Sequence, residues 1–401
     1  MDEIATVRLG DIVSSQKGKK PKRISDIQTK DCSLPYVNIK AFERGLIEEY
    51  TDGVGCVICE DGDFLMVWDG SRSGYVGKGI KGALGSTLVK LNFPDIDNNY
   101  AYYFLQSKFI EINTRAKGVG IPHVDPNILW NYKLRIPSKT EQRAIVSKIE
   151  SLFSELDKGI ENLKTAQQQL KTYRQSVLKW AFEGRLTNEN VKEGELPEGW
   201  EMVPIKDVAN TIGGYAFKSG EFREHGQYQV LRMGNVRPGI IRYSESPVFI
   251  DKVEKNVLDR SLLQKGDVII TQTGTRQKRD YGFTAIVSNS NLLLNQRIAA
   301  IRFGQSYMSQ FFLYYSWTDS FRDQFFANET GNVGQGNVGM KAITETLTPL
   351  CSMSEQQRIV EEIESRLSVA DKMESSITES LLQAEALRQS ILKRAFEGKL
   401  I

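Results

Sequence analysis

The sequence predicts a mixed α/β chain made of two globular domains in tandem, each followed by one long helix. Three observations carry this. Segment 141–186 recurs at 355–400 without a gap, with about 21 of 46 aligned positions identical. Both copies have the apolar spacing of long helices. The blocks in front of them mix short β-rich runs, such as DVIIT at 267–271 and IAAIRF at 298–303, with one possible helix each, at 100–112 and 307–326.

The totals agree with such a chain and exclude others. A length of 401 residues suggests roughly two to four domains. Hydrophobic residues make up 40% and charged residues 25%, ordinary for a globular protein. No charged-then-apolar segment opens the sequence, and no apolar run approaches the ~20 residues that span a bilayer, so a cytoplasmic protein is expected. Four cysteines, Cys32, Cys56, Cys59 and Cys351, fit a reduced compartment. Cys56 and Cys59 form one CxxC, but no second pair or nearby histidine completes a zinc set, so inert thiols and no metal are expected. A net charge of +2 is too mild to argue nucleic-acid binding in bulk; the case must come from local clusters.

The elements follow in order. Residues 1–137 form the first globular block and 201–351 the second; VRLGDIV at 7–13 resembles VPIKDVA at 203–209, and EDGDFLMVWDG at 60–70 resembles QKGDVIITQTG at 264–274. PYVNIKAFERGLI at 35–47 similarly matches VLRMGNVRPGII at 230–241. Residues 138–186 read as the first long helix. Ile145, Ile149, Leu152, Leu156, Gly159, Leu163, Ala166, Leu170, Tyr173, Val177 and Trp180 alternate by four and three, a heptad stripe. Residues 187–200, polar and turn-rich, read as a linker. Residues 352–401 read as the second helix, with Ile359, Ile363, Ala370, Met373, Ile377, Ala384, Leu387 and Ile391 in register. Ser138 with Glu141 and Ser352 with Glu355 are capping-box pairs, and Gly184 and Gly398 stand where a glycine ends a helix.

At this point the residues carry a family resemblance. LPEGWEMVPIKDVA at 196–209, the helix openings EQRAIVSKIES and EQQRIVEEIES, and the closings RQSVLKWAFEGRL and RQSILKRAFEGKL resemble the phrases of type I restriction-modification specificity subunits. The likeness covers essentially the whole chain. It implies that the globular blocks are target recognition domains, each reading one half of a split, asymmetric DNA sequence. It also implies that the helices pair as an antiparallel coiled coil with pseudo-two-fold symmetry, which spaces the domains and docks two modification subunits. Those partners would methylate adenine with S-adenosylmethionine, and restriction subunits, a motor-nuclease, would cut using ATP and Mg; the chain itself would be no enzyme and hold no cofactor. For coiled-coil pairing and partner docking, Ile145, Ile149, Leu156, Arg174, Phe182, Ile359, Ile363, Arg388 and Phe396 are the candidates.

Candidate contacts with double-stranded DNA come from residue type. Lys17, Lys19, Lys20, Lys22 and Arg23 lie in QKGKKPKR, a basic loop suited to phosphates and equally readable as a solvated surface. Thr273, Thr275, Arg276, Gln277, Lys278, Arg279 and Tyr281 form a polar loop after DVIIT, with Arg suited to guanine and Gln to adenine. Ser71, Arg72, Tyr75 and Lys78 are its counterpart in the first block. Arg232, Asn235 and Arg237, matched loosely by Asn38, Lys40 and Arg44, are further candidates, with Asn235 more readily a turn former. GQGNVG at 334–339 and DPNI at 125–128 lack the context of a nucleotide or methyltransferase motif. The rival reading is a coiled-coil scaffold for proteins.

Overall fold

The computed structural model describes residues 5–188, 190–192, 194–332 and 334–401. The chain forms two compact units, and the division does not follow the two halves of the sequence. The first unit comprises residues up to Thr165 together with Ile377–Ile401; the second comprises Ala166–Ser376. The two long helices, α1 (Lys139–Phe182) and α2 (Met353–Phe396), are 44 residues each and contribute to both units.

In the first unit a four-stranded antiparallel sheet has the order Ser14–Lys17, Leu88–Asn92, Phe64–Val67, Val76–Lys78. A second sheet pairs Leu34–Val37 with Gly82–Leu84 in parallel, Tyr36 opposite Ala83. The opening strand Thr6–Arg8 pairs with Lys133–Arg135, just ahead of α1. The second unit repeats this order. Its main sheet runs Ala209–Gly213, Ile298–Phe303, Val268–Thr271, Thr284–Ile286. Tyr228–Leu231 pairs in parallel with Leu292–Leu294, and Glu201–Pro204 pairs with Leu347–Leu350 ahead of α2. The faint likeness of the two blocks in sequence is thus a shared topology. The segment read as one helix at 307–326 is two, Ser309–Tyr315 and Asp319–Ala327, because the Thr318 side chain accepts from the Phe321 amide and starts a new helix.

Each core is completed by both long helices. In the first unit Phe64, Met66, Tyr100 and Phe104 pack with Ile145, Ile149 and Phe153 of α1 and with Ile391, Leu392 and Ala395 of α2. In the second, Val268, Ile301, Phe311 and Phe312 pack with Val177, Leu178, Ala181 and Phe182 of α1 and with Ile359, Val360 and Ile363 of α2. Within each unit the helices run antiparallel. Arg388 pairs with Asp157 while Ile391 and Ala395 reach the buried start of α1; Arg174 pairs with Asp371 while Thr187 meets Glu355.

The heptad stripe needs correction toward the end of α1 and at two positions of α2. Tyr173 and Trp180 are exposed, and Val177, Leu178, Ala181 and Phe182 form the buried face; on α2, Met373 and Leu387 are exposed. A straight helix drifts about 20° per heptad against a 3.5-residue repeat, so on α1 a stripe true at its start rotates toward neighbouring positions at its end. Docking through Phe182 and Phe396 needs correction too. Phe182 is buried with its ring 5.0 Å from Phe311, and the Phe396 ring lies tilted 5.1 Å from Tyr100, so both rings are spent on the core. Ile145, Ile149, Ile359 and Ile363 are likewise buried.

The helix ends keep the hydroxyl half of the expected capping boxes and the expected glycine closures. The Ser138 and Ser352 hydroxyls accept from the Glu141 and Glu355 amides, both at 3.3 Å. Gly184 and Gly398 have φ of +72° and +71°, and the next amides, Arg185 and Lys399, reach back 2.9 Å to the Trp180 and Arg394 carbonyls. This is the Schellman closure that a left-handed glycine permits.

Candidate nucleic-acid interface

In each unit one loop leaves the central strand of the main sheet and returns on its neighbour. In the first it spans residues 68–74, closed by the Gly74 amide donating to the Val67 carbonyl at 2.7 Å. In the second it spans 272–282, closed by Gly282 on Thr271 at 2.9 Å. Both glycines have positive φ and no room for a Cβ, which would lie 2.4 Å from Ile112 or 2.8 Å from Phe325. The loops are therefore equivalent, seven residues against eleven. The closure also realigns them: Tyr75 corresponds to Phe283, and Tyr281 to Ser73.

A hairpin lies against each loop. Lys117 and His123 exchange backbone bonds of 2.9 and 2.7 Å, and the Gly70 amide donates to Pro122. In the second unit Thr330–Asn332 pairs with Gln335–Asn337, which pairs in turn with Thr273–Gly274. This absorbs GQGNVG as strand, and DPNI as a helix start whose Asp125 carboxylate caps the Asn127 amide at 3.0 Å.

The marked residues divide by what they touch. In the first unit Lys19, Lys20, Lys22 and Arg23 are exposed and form no ion pair with a described residue, whereas Lys17 donates to Asp69 at 2.8 Å. Arg72 lies 3.2 Å from Glu43 and 4.0 Å over the Tyr75 ring, which also meets Phe42 and Phe109; Ser71 is exposed beside it. Lys78 points elsewhere: it donates to Asn99 and sits 4.9 Å over Tyr102, where burial lowers its pKa. Lys40 is paired with Glu48, and Arg44 is exposed at a helix end.

In the second unit Gln277 and Lys278 are exposed without a bond to a described residue. Arg276 is held 3.2 Å from Glu329, and Arg279 lies 4.8 Å over Phe326. Thr275 donates its amide to Asp280 at 2.6 Å. Three candidates need correction. Tyr281 is fully buried among Phe325 and Phe326, its hydroxyl donating to Glu329; Thr273 is buried and bonds Asn337. Asn235 is buried, its amide donating to the Arg242 and Glu245 carbonyls while its oxygen accepts from the Arg232 amide. A side chain whose polar atoms are all bonded inside the fold has none left for a base edge. Arg237 is bonded to the carbonyls of Gly234 and Val236. Arg232 donates to the Ser246 carbonyl at 2.6 Å and lines an open cavity of about 490 Å³.

The model of the type I restriction modification DNA specificity domain matches residues 1–165 and 197–383. The chain belongs to the family of type I restriction-modification specificity subunits. It is 27% identical over 402 residues to the specificity subunit of the type I restriction enzyme MjaVIII of Methanocaldococcus jannaschii, covering 98% of this chain and 92% of the relative. To the EcoBI specificity subunit of Escherichia coli it is 23% identical, covering 100% and 85%. The HsdS subunit from Thermoanaerobacter tengcongensis shares the fold at a TM-score of 0.61 and 19% identity, covering 98% of this chain and 97% of that one. A chain from a study of type I R-M complex assembly and conformational transition matches at 0.74 and 20%, covering 100% and 99%.

For a specificity subunit the sequence reading left one surface unmarked: residues 294–297 at the end of a parallel strand, where Arg297 is exposed. Setting LLLNQRIAA at 292–300 on GALGSTLVK at 82–90 would have drawn attention to it. Burial pushes the Cys59 thiol up to about 11, and its sulfur donates to the Ile80 carbonyl at 3.1 Å. Among the described residues no group of three or more His, Cys, Asp or Glu side chains is arranged to hold a metal, and no helix is long and apolar enough to cross a membrane.

Proposed function

We propose that each globular domain reads one half of a bipartite, asymmetric DNA sequence. The observation that carries this is the paired loop: one closure built twice, seven residues long in one unit and eleven in the other, with different exposed side chains. Equivalent loops on equivalent sheets suit equivalent tasks; unequal contents suit unequal half-sites. The long helices set the gap between half-sites and carry two modification subunits, which methylate adenine with S-adenosylmethionine. Restriction subunits using ATP and Mg complete the assembly, and this chain supplies no catalytic group. Docking falls to the exposed faces of α1 and α2, since their apolar ends are buried.

The test is a methylome. The chain is co-expressed with its modification subunit in a methylation-free host and modified bases are mapped. A split motif with one modified adenine in each half supports the reading. A soluble, assembled complex that leaves no motif overturns it in favour of a protein scaffold.

A further inference from the structure

We infer that both domains hold a DNA backbone phosphate at the same place in the fold, and that they supply its positive charge from different parts of the chain. This deepens, and rests on, the DNA-reading function proposed above.

The place is defined by backbone bonds. In the first domain the Gly18 amide donates to Leu88 at 2.9 Å and the Lys19 amide to Leu84 at 3.2 Å; in the second, Gly214 donates to Ile298 at 3.1 Å and Tyr215 to Leu294 at 3.0 Å. Gly18 and Gly214 are forced. A Cβ on Gly18 would lie 2.1 Å from the Gly85 carbonyl oxygen, and one on Gly214 would lie 1.8 Å from that of Asn295. The opening segment of each domain therefore crosses the end of a parallel strand at one conserved point of the topology. Across that point Lys19 stands where Tyr215 stands, Lys20 where Ala216 stands and Arg23 where Ser219 stands, with Lys22 matched by Lys218.

Of this basic segment the second domain carries only Lys218, yet the spot is not without charge. Gly85, Ser86 and Thr87 of the first domain correspond to Asn295, Gln296 and Arg297, and Asn38 to Arg232. Arg232, Gln296, Arg297 and Asn295 line the cavity of about 490 Å³. Neither arginine forms an ion pair with a described residue. The one carboxylate in the cavity wall, Glu245, is neutralised by Arg242 at 3.2 Å and Arg237 at 3.4 Å. Asn295 is only 9% exposed, and its Oδ1 has no hydrogen-bond partner among the described residues. A buried amide oxygen left unbonded is costly. Its NH₂ donates to no described residue and is left free for an anion in the cavity that Asn295 lines. Two guanidiniums without a carboxylate partner and an uncommitted amide NH₂ around an open hollow suit the convex, anionic ridge of a sugar–phosphate backbone.

The test uses the assembled methyltransferase complex and a cognate duplex, with affinity measured against salt. Arg232→Ala and Arg297→Asn (asparagine tolerates the φ of +69° at that position) should together lower the slope of log K on log salt by about 0.9. The methylated motif should stay the same in both halves. Lys19→Ala with Lys20→Ala should do the same through the first domain, and adding Thr87→Arg, at the position equivalent to Arg297, should restore about 0.9. An unchanged slope in the arginine variants overturns the inference, as does a changed base in the second half-site at unchanged slope, which would mark base reading instead. Failure of Thr87→Arg to restore the slope overturns the equivalence of the two seats. If the unaltered complex shows neither a motif nor salt-dependent binding, the DNA-reading function itself fails; if it shows both and the variants do nothing, only the phosphate seat fails.

Discussion

Arg174 lies 2.7 Å from Asp371 and 2.9 Å from Glu374, and 214 residues along the repeat Arg388 meets Asp157. The two halves make one ion pair twice, with donor and acceptor exchanged between the helices. Asp371 is largely exposed, so the pair sets register more than it stabilises. Arg174→Ala should cost about 0.5–1 kcal/mol in urea unfolding. Exchanging the charges as Arg174→Asp with Asp371→Arg should recover part of that, limited by Glu374. A double variant no more stable than Arg174→Ala would remove the pair from the account of register.

Gln142 and Gln356, one residue into each repeat, are almost fully buried. Gln142 accepts from the Asp97 amide and donates to the Pro137 carbonyl, both at 2.8 Å. Gln356 accepts from Met308 at 2.8 Å and donates to Ser306 and Cys351 at 3.0 and 2.9 Å. Each glutamine stitches the start of a long helix to its own domain. Replacement by Leu leaves backbone groups buried and unbonded, at about 2–3 kcal/mol. Denaturant midpoints unchanged in both variants would contradict this role.

Side chains around the long loop should separate reading from folding. Gln277 and Lys278 form no hydrogen bond or ion pair with a described residue, so in Gln277→Ala and Lys278→Ala any change of motif should fall in one half-site only and leave stability within about 0.5 kcal/mol of the parent. Arg276→Ala should also affect one half-site, with a loss of stability because Glu329 is left buried without its cation. Tyr281→Phe should lose stability and keep the motif. Equal loss of both half-sites in the Gln277 or Lys278 variant would point to something other than local reading.

The thiols give a prediction in pH. Burial, with Asp63 adding to it, holds Cys59 protonated up to about 11, against an ordinary 9.0. At pH 8 a thiolate-directed alkylating agent should label the partly exposed Cys56 first, and Cys59 and Cys351 only on unfolding. A group whose folded pKa is raised stabilises fully below its unfolded value and loses that contribution as pH rises through the folded one. Stability should therefore fall between about pH 9 and 11, and less steeply in Cys59→Ala. Mass-spectrometric labelling and urea unfolding at the two ends of that range check both statements.

The repeat made much of the fold legible. Periodicity, Ser138, Ser352, Gly184 and Gly398 mark the long helices to within a few residues, because capping is local chemistry. What the helices pack against was not legible. Phe182 and Phe396 read as coiled-coil or docking residues because their partners, Phe311 and Tyr100, are far away in sequence. The interface was half legible. Lys19, Lys20, Gln277 and Lys278 are exposed as their composition suggests, whereas Tyr281 and Asn235 look alike on paper and are core. Arg297 was hidden because its equivalent is Thr87, and only the strand ends bring the two into line.

The way the first core is closed bears on how the chain is made. Ile391, Leu392 and Ala395 seal a core whose other members, from Leu9 to Phe153, leave the ribosome much earlier. At synthesis rates of about 5–20 residues per second, roughly 240 residues must follow, so that apolar face waits on the order of 10–50 s for its cover. A chaperone that holds apolar surface should bind nascent chains stalled short of residue 388 and let go once the whole chain has left the ribosome. A permuted gene that begins in the linker and joins residue 401 to residue 1 would bring the 391–395 segment beside the first domain during synthesis, and its product should depend less on that help.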